Sequence, residues 1–147
     1  MQNLTLVPIS HENVNELQQI NTALFPIVYN DKFYLQANPS DPFWRLVYWN
    51  ENLVGAFCCK QVEQKLYIMT FGVLAKYRRN GIASFMLDYL IDQAKNEELS
   101  QIYLHVQVSN NAALKFYQKH LFRITNTVQE YYKKIEPRAA HILIRDI

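Results

Sequence analysis

Residues 66–87 read LYIMTFGVLAKYRRNGIASFML, an apolar run that gives way, through two arginines and a glycine, to apolar residues at a new spacing. The first part alternates as a half-buried strand does. In the second, Ile82, Met86, Leu87, Leu90, Ile91 and Ala94 recur three or four apart, which marks one face of a helix of about four turns. Where a strand meets a helix, the first helical N–H groups lack carbonyl partners and the helix dipole leaves partial positive charge. In RRNGIA, residues 78–83, small Gly81 and Ala83 let backbone amides come close to an anion, while Arg78 and Arg79 add charge and forked donors. A diphosphate fits such a corner. So does a helix start whose glycine serves an awkward dihedral and whose arginines are merely solvated. No Gly-Lys-Ser/Thr follows, and no GxGxxG precedes, so phosphate loops of NTPases and dinucleotide fingerprints are excluded.

Working outward, LTLVPI predicts a first strand. Ser10 is the expected cap of a helix carrying Val14, Leu17, Ile20 and Leu24, which Pro26 stops. A short helix is expected over Lys32 to Ala37. FWRLVYW, the turn NEN and LVGAFCCKQV read as a hairpin, and LYIMTFGVL follows too closely to be anything but another antiparallel neighbour. After the quoted stretch come the strand QIYLHVQV, a helix NNAALKFYQKH with Asn110 as its cap, and two strands, RITNTVQEYY and HILIRDI, around a loop with Pro137. The order predicts an α+β, or mixed α/β, fold. Its centre is one largely antiparallel sheet of about seven strands with four helices, in a single domain over residues 1–147.

Composition narrows the function. With 50% hydrophobic and 19% charged residues the chain is globular, and no apolar stretch nears the roughly 20 residues that cross a bilayer, so a soluble, cytoplasmic protein is expected. The start MQNLTLVPIS has neither a secretory nor an Arg-rich transit pattern. A net charge of +2 without a Lys/Arg run gives no case for sequence-specific nucleic-acid binding. His11, His105, His120 and His141 share no ligand spacing with one another or with Cys58 and Cys59, so no metal is expected. The two cysteines are adjacent in a strand, where neighbours point to opposite faces, and read as core residues.

RRNGIA resembles the R/Q-x-x-G-x-G/A loop of the GCN5-related N-acetyltransferases (GNAT), with Arg78, Gly81 and Ala83 at the patterned positions. The order of elements is similar to the GNAT fold over nearly the whole chain. SNNAALKFYQKHLF resembles the family's Asn-x-x-Ala-x-x-x-Tyr segment through Asn110, Ala113 and Tyr117. Leu121-Phe122 stands where the family has Gly-Phe, which predicts a different turn at that helix's end. FPIVYNDKFY, IYLHVQVSN and YYKKIEP, together with the quoted stretch, are similar to one subfamily, the NatE-type N-terminal acetyltransferases.

The resemblance implies transfer of acetyl from acetyl-CoA to the α-amine of proteins that begin with Met followed by a hydrophobic residue, Met-Leu for example. It also implies work in the cytosol, often beside the ribosome-bound NatA complex. It places acetyl-CoA on Arg78, Arg79, Gly81, Ile82, Ala83 and Asn110 and on the backbone of Phe71, Gly72 and Val73, with Gly72 a candidate bulge. It makes Tyr67 and His105 a relay that takes the amine proton through a water, and Tyr117 the donor to the leaving thiolate. Phe25, Pro26, Ile27 and Tyr29 on one side, Tyr131, Tyr132 and Ile135 on the other, with Met69 beneath, become the clamp on the first two substrate residues. Read without the resemblance, Tyr67, His105 and Tyr117 fit interior packing and Tyr131-Tyr132 an exposed pair. An acceptor lysine or small amine, or a non-catalytic subunit that only holds acetyl-CoA, also remains open. Against lysine stands the lack of a glutamate in LYIMTFGVL, since lysine is the harder amine to deprotonate.

Overall fold

The computed structural model describes residues 3–147. Its elements run in the expected order: strand β1 (Leu4–Pro8), helices α1 (Val14–Leu24) and α2 (Asp31–Tyr34), strands β2 (Trp44–Trp49), β3 (Asn52–Val62) and β4 (Lys65–Val73), helix α3 (Ile82–Asn96), strand β5 (Gln101–Gln107), helix α4 (Asn111–Lys119), and strands β6 (Arg123–Val128) and β7 (Ala140–Asp146). They form a seven-stranded sheet in the order β1-β2-β3-β4-β5-β7-β6. Antiparallel pairing prevails, and β4 with β5 is the parallel step. A parallel neighbour needs a crossover, and α3 supplies it. The fold class is the expected one.

The described residues fall into two compact units, one of the chain up to Lys60 with Met69–Gln93, the other of Gln61–Ile68 with Ala94–Ile147. In the first, Leu17 of α1, Leu46 and Val47 of β2, Phe57 of β3 and Met86, Leu87 and Leu90 of α3 are fully buried. Burial of each such side chain contributes roughly 1.5–3 kcal/mol. Cys58 and Cys59 are buried and free, as read. In the second unit the alternation of β5 places Ile102, Leu104 and Val106 inward, with Leu143 of β7 fully buried.

Three local expectations need correction. Ser10 does not cap α1: its hydroxyl accepts from Glu12 N–H at 3.2 Å, and Asn13 occupies the N-cap position without a side-chain cap bond, its Oδ1 accepting instead from Ser10 N–H at 2.8 Å. The second helix begins at Asp31, not Lys32, because the Asn30 side chain accepts from Phe33 N–H at 3.1 Å. It loosens after Tyr34 into single turns that reach Ala37. The end of α4 is also not a different turn. Leu121 takes φ 71°, Leu121 N–H bonds Gln118 O at 3.1 Å and Phe122 N–H bonds Tyr117 O at 3.0 Å. That pattern is a Schellman motif with leucine at the left-handed position that usually holds glycine.

Candidate active site

In the first unit, β4 ends at Val73 and the chain passes through a 3-10 turn, Ala75–Tyr77, before α3. Two left-handed residues, Arg79 at φ 66° and Gly81 at φ 76°, swing it into the helix. Such a φ is costly for arginine, and backbone outliers of this sort collect at ligand-holding loops. Arg78 Nε donates to Val73 O at 3.0 Å, and Asn80 Nδ2 donates to Tyr77 O at 3.0 Å and Arg78 O at 3.2 Å. These side chains thus occupy loop carbonyls, while Phe85 N–H to Gly81 O, 3.1 Å, opens the helical ladder. Ile82, buried, anchors the start of α3; Arg78, Arg79 and Gly81 are exposed and Ala83 half-buried. Amides at a helix start beside two guanidinium groups make an electropositive corner suited to a diphosphate.

The same unit carries the link from Phe25 to Asn30. A Cβ on Gly72 would lie 3.2 Å from Phe25 Cζ and 3.3 Å from Leu24 Cδ1, and one on Gly55 would lie 2.7 Å from Gly72 O. Two glycines therefore let β3 and β4 come close and leave room for the Phe25 ring. Along β4, Leu66, Ile68 and Thr70 are buried, but the next buried residue is Val73, so the alternation slips at Phe71-Gly72. This is the position read as a bulge. Phe71 stacks on Phe57 at 6.4 Å and Met69 is half-buried. Tyr29 lies on Phe33 at 4.5 Å, while Pro26 and Ile27 are exposed.

In the second unit the β4–β5 pairs run from Lys65↔Gln101 to Tyr67↔Tyr103. His105 lies two residues beyond Tyr103, on the same face of β5. The Tyr67 hydroxyl is 2.9 Å from His105 Nδ1 and 3.2 Å from the Tyr131 hydroxyl. The Tyr131 ring stacks on the His105 ring at 4.1 Å and 9°, and Tyr132 meets Tyr131 edge-on at 4.9 Å. Bonds from Tyr132 N–H to Arg138 O, 2.9 Å, and from Val108 N–H to Ala139 O, 3.0 Å, hold the loop that brings them. Ile135 of that loop is half-buried.

Burial lowers the His105 pKa from its usual value, which keeps the imidazole neutral, the form that can accept a proton. Burial also raises the Tyr132 phenol, and Tyr131 adds to it. That Tyr131 touches the Tyr67–His105 pair was not legible in the sequence, since the contact joins a loop to two strands and leaves no spacing pattern.

Asn110 caps α4 as expected, its Oδ1 accepting from Ala113 N–H at 3.2 Å. Tyr117 is buried between Phe116 at 5.1 Å and Phe122 at 5.3 Å. Cys58 and Cys59 are fully buried, and burial pushes the Cys58 thiol up to about 12 and the Cys59 thiol up as well, which disfavours the thiolate that an acyl carrier needs. Among the described residues no three His, Cys, Asp or Glu side chains gather as a metal group.

Comparison with known proteins adds to this geometry. The acetyltransferase (GNAT) family profile matches residues 11–122. The chain is 41% identical to the probable N-acetyltransferase san of Drosophila melanogaster, over 95% of this chain and 79% of that protein. It is 42% identical to N-alpha-acetyltransferase 50 of Danio rerio, over 98% and 89%. Its structure is similar to Arabidopsis thaliana Naa50 solved in complex with the bisubstrate analogue CoA-Ac-MVNAL, at 41% identity, TM-score 0.91 and 99% of both chains.

Proposed function

Because this chain belongs to the acetyltransferase (GNAT) family, we propose that it moves an acetyl group from acetyl-CoA to the free α-amine of proteins that begin with Met followed by a hydrophobic residue. The observation that carries this reading is the 41% likeness over 99% of the chain to a protein bound to a CoA-acetyl-peptide conjugate whose peptide begins Met-Val. The Tyr67–His105 contact fits it chemically.

The electropositive corner of Arg78, Arg79, Gly81, Ile82 and Ala83 holds the coenzyme diphosphate, with Asn110 on the same cofactor. An α-ammonium, with a reference pKa of about 7.7–8.0, gives up its proton far more readily than lysine at about 10.4. Neutral His105, with Tyr67 bonded to its Nδ1, accepts that proton through a water. The freed nitrogen attacks the thioester carbon, the new C–N bond forms, and the oxygen gains charge that backbone N–H groups at Phe71, Gly72 and Val73 stabilise. The C–S bond then breaks, the thiolate takes a proton from Tyr117, and the second proton that the nitrogen sheds as the amide forms returns through solvent to the Tyr117 phenolate. No covalent enzyme intermediate is involved. Phe25, Pro26, Ile27, Tyr29 and Met69, with Tyr131, Tyr132 and Ile135, receive the first two substrate residues. Likeness to the NatE type also supports association with a NatA complex at the ribosome and a cytoplasmic place of action.

A steady-state assay with acetyl-CoA and short peptides that differ only in the first two residues tests this. Met-Leu is expected to lead the panel. Equal rates on Met-Leu, Ser-Leu and Ala-Leu peptides contradict the acceptor assignment.

A further inference from the structure

Asn21 is out of character for its position. Leu17 and Ile20 share the inward side of α1 with it, and Asn21 itself is only 2% exposed. One end of its amide, Nδ2, donates to the Tyr34 hydroxyl at 3.2 Å. The other end, Oδ1, has no hydrogen-bond partner among the described residues. A buried carbonyl oxygen without a donor is destabilising, and an apolar residue here would escape that cost. Stability does not explain this asparagine.

Its connections do. The Asn21 carbonyl accepts from Phe25 N–H at 2.9 Å, which closes α1 and sends Phe25 off in extended conformation. Its side chain reaches Tyr34, at the end of α2. One residue thus ties the start of the Phe25–Asn30 link, through Phe25 N–H, to the short helix α2 that follows the link, through Tyr34. Phe25 sits against Gly72, Tyr29 lies on Phe33 at 4.5 Å, and Phe33 meets Tyr34 edge-on at 5.1 Å. The middle of the link has little packing of its own, with Ile27 38% and Val28 93% exposed. Its course is therefore dictated by how its two ends are tied.

We infer that Asn21 and Tyr34 are positioning residues for selection of the substrate's first residue: their buried bond fixes the spacing of α1 from α2 and so the placement of Phe25 and Tyr29. This rests on the reading above, in which that link walls the pocket for the first side chain.

The double variant Asn21→Leu/Tyr34→Phe removes both partners at once, so neither is left orphaned, and its melting temperature is expected to equal or exceed that of the parent. Its KM for a Met-Leu peptide is expected to rise about tenfold and its preference for Met over Ala at the first position to fall by a similar factor, since small misplacements of a binding wall have effects of this order. Its kcat and its KM for acetyl-CoA stay within about twofold of the parent's. Tyr34→Phe alone, which keeps every ring contact, moves the peptide KM in the same direction by less. Amide hydrogen exchange of residues 25–30 is expected to quicken in both variants.

A double variant with parental peptide KM, parental preference and parental exchange overturns the inference. So does a loss confined to kcat. If the parent itself shows no preference for Met, the functional reading fails instead, and exchange at residues 25–30 then decides alone whether the Asn21–Tyr34 bond controls the link.

Discussion

The hydroxyl of Tyr67 stands 2.9 Å from Nδ1 of His105, and the ring of Tyr131 lies flat over that imidazole at 4.1 Å. The two strands that bring Tyr67 and His105 are in register as parallel neighbours up to Tyr67↔Tyr103. Tyr67→Phe removes the hydroxyl and keeps the ring contact with Tyr103 at 4.8 Å. Loss of a proton-relay group of this kind lowers kcat by about 100-fold. His105→Ala is expected to cost a similar factor, and the double variant little more than either alone, since in the proposed relay the two work as one unit. Product formation in single turnover checks this. Full kcat in Tyr67→Phe would remove Tyr67 from the relay.

His105 also sets a pH dependence. Its pKa is lowered by burial, from 6.5, whereas in the unfolded chain it returns to the ordinary value. As pH falls through 6.5 the unfolded state gains a proton that the native state resists, so stability is full above that pH and declines between it and the lower native pKa. An NMR titration of the ring is expected to give a midpoint below 6.5. A midpoint at or above that value contradicts the burial argument.

Leu121 carries the positive φ of 71° at the end of α4 while its side chain is 72% exposed. Its backbone is strained and its side chain has little packing to lose. Leu121→Gly is therefore expected to stabilise the protein by about 1 kcal/mol. That is a rise of about 3 °C in melting temperature for a domain of this size. Leu121→Ala, which keeps the Cβ and the strain, is the control and moves it far less.

Gly72 of β4 faces the Phe25 ring of the link that follows α1. The added methyl of Gly72→Ala would meet Phe25 Cζ at 3.2 Å, and a ring can yield by a few tenths of an ångström. The expected outcome is a peptide KM raised several-fold, about fivefold, as the ring moves. Gly55→Ala differs, because its methyl would lie 2.7 Å from the backbone oxygen of Gly72. Backbone must shift there, and the overpacking costs about 2 kcal/mol, read by chemical denaturation.

Much of this was legible in the sequence for a physical reason. Strand alternation in LYIMTFGVL and helical spacing from Ile82 to Ala94 are local signals, and β4 and α3 fall where those signals put them. The Asn110 cap is local too. The misses arose where a backbone choice depends on neighbours. Ser10 has capping chemistry, but the chain turns once more before α1 and Asn13 takes the position. Leucine at 121 disfavours a left-handed turn, yet the carbonyls at the end of α4 bond through it, and Phe122 is buried beyond it. Tyr131 on His105 and Asn21 on Tyr34 are long-range contacts that no periodicity encodes.

The central claim is that the acceptor is a terminal α-amine. The most direct test is to incubate the protein with acetyl-CoA and one peptide that begins Met-Leu and contains an internal lysine, and to locate the added acetyl by fragment mass spectrometry. The account predicts acetyl on the Met nitrogen and none on lysine during the initial rate. Acetyl placed first on the lysine, or no acetyl transfer at all, would contradict it.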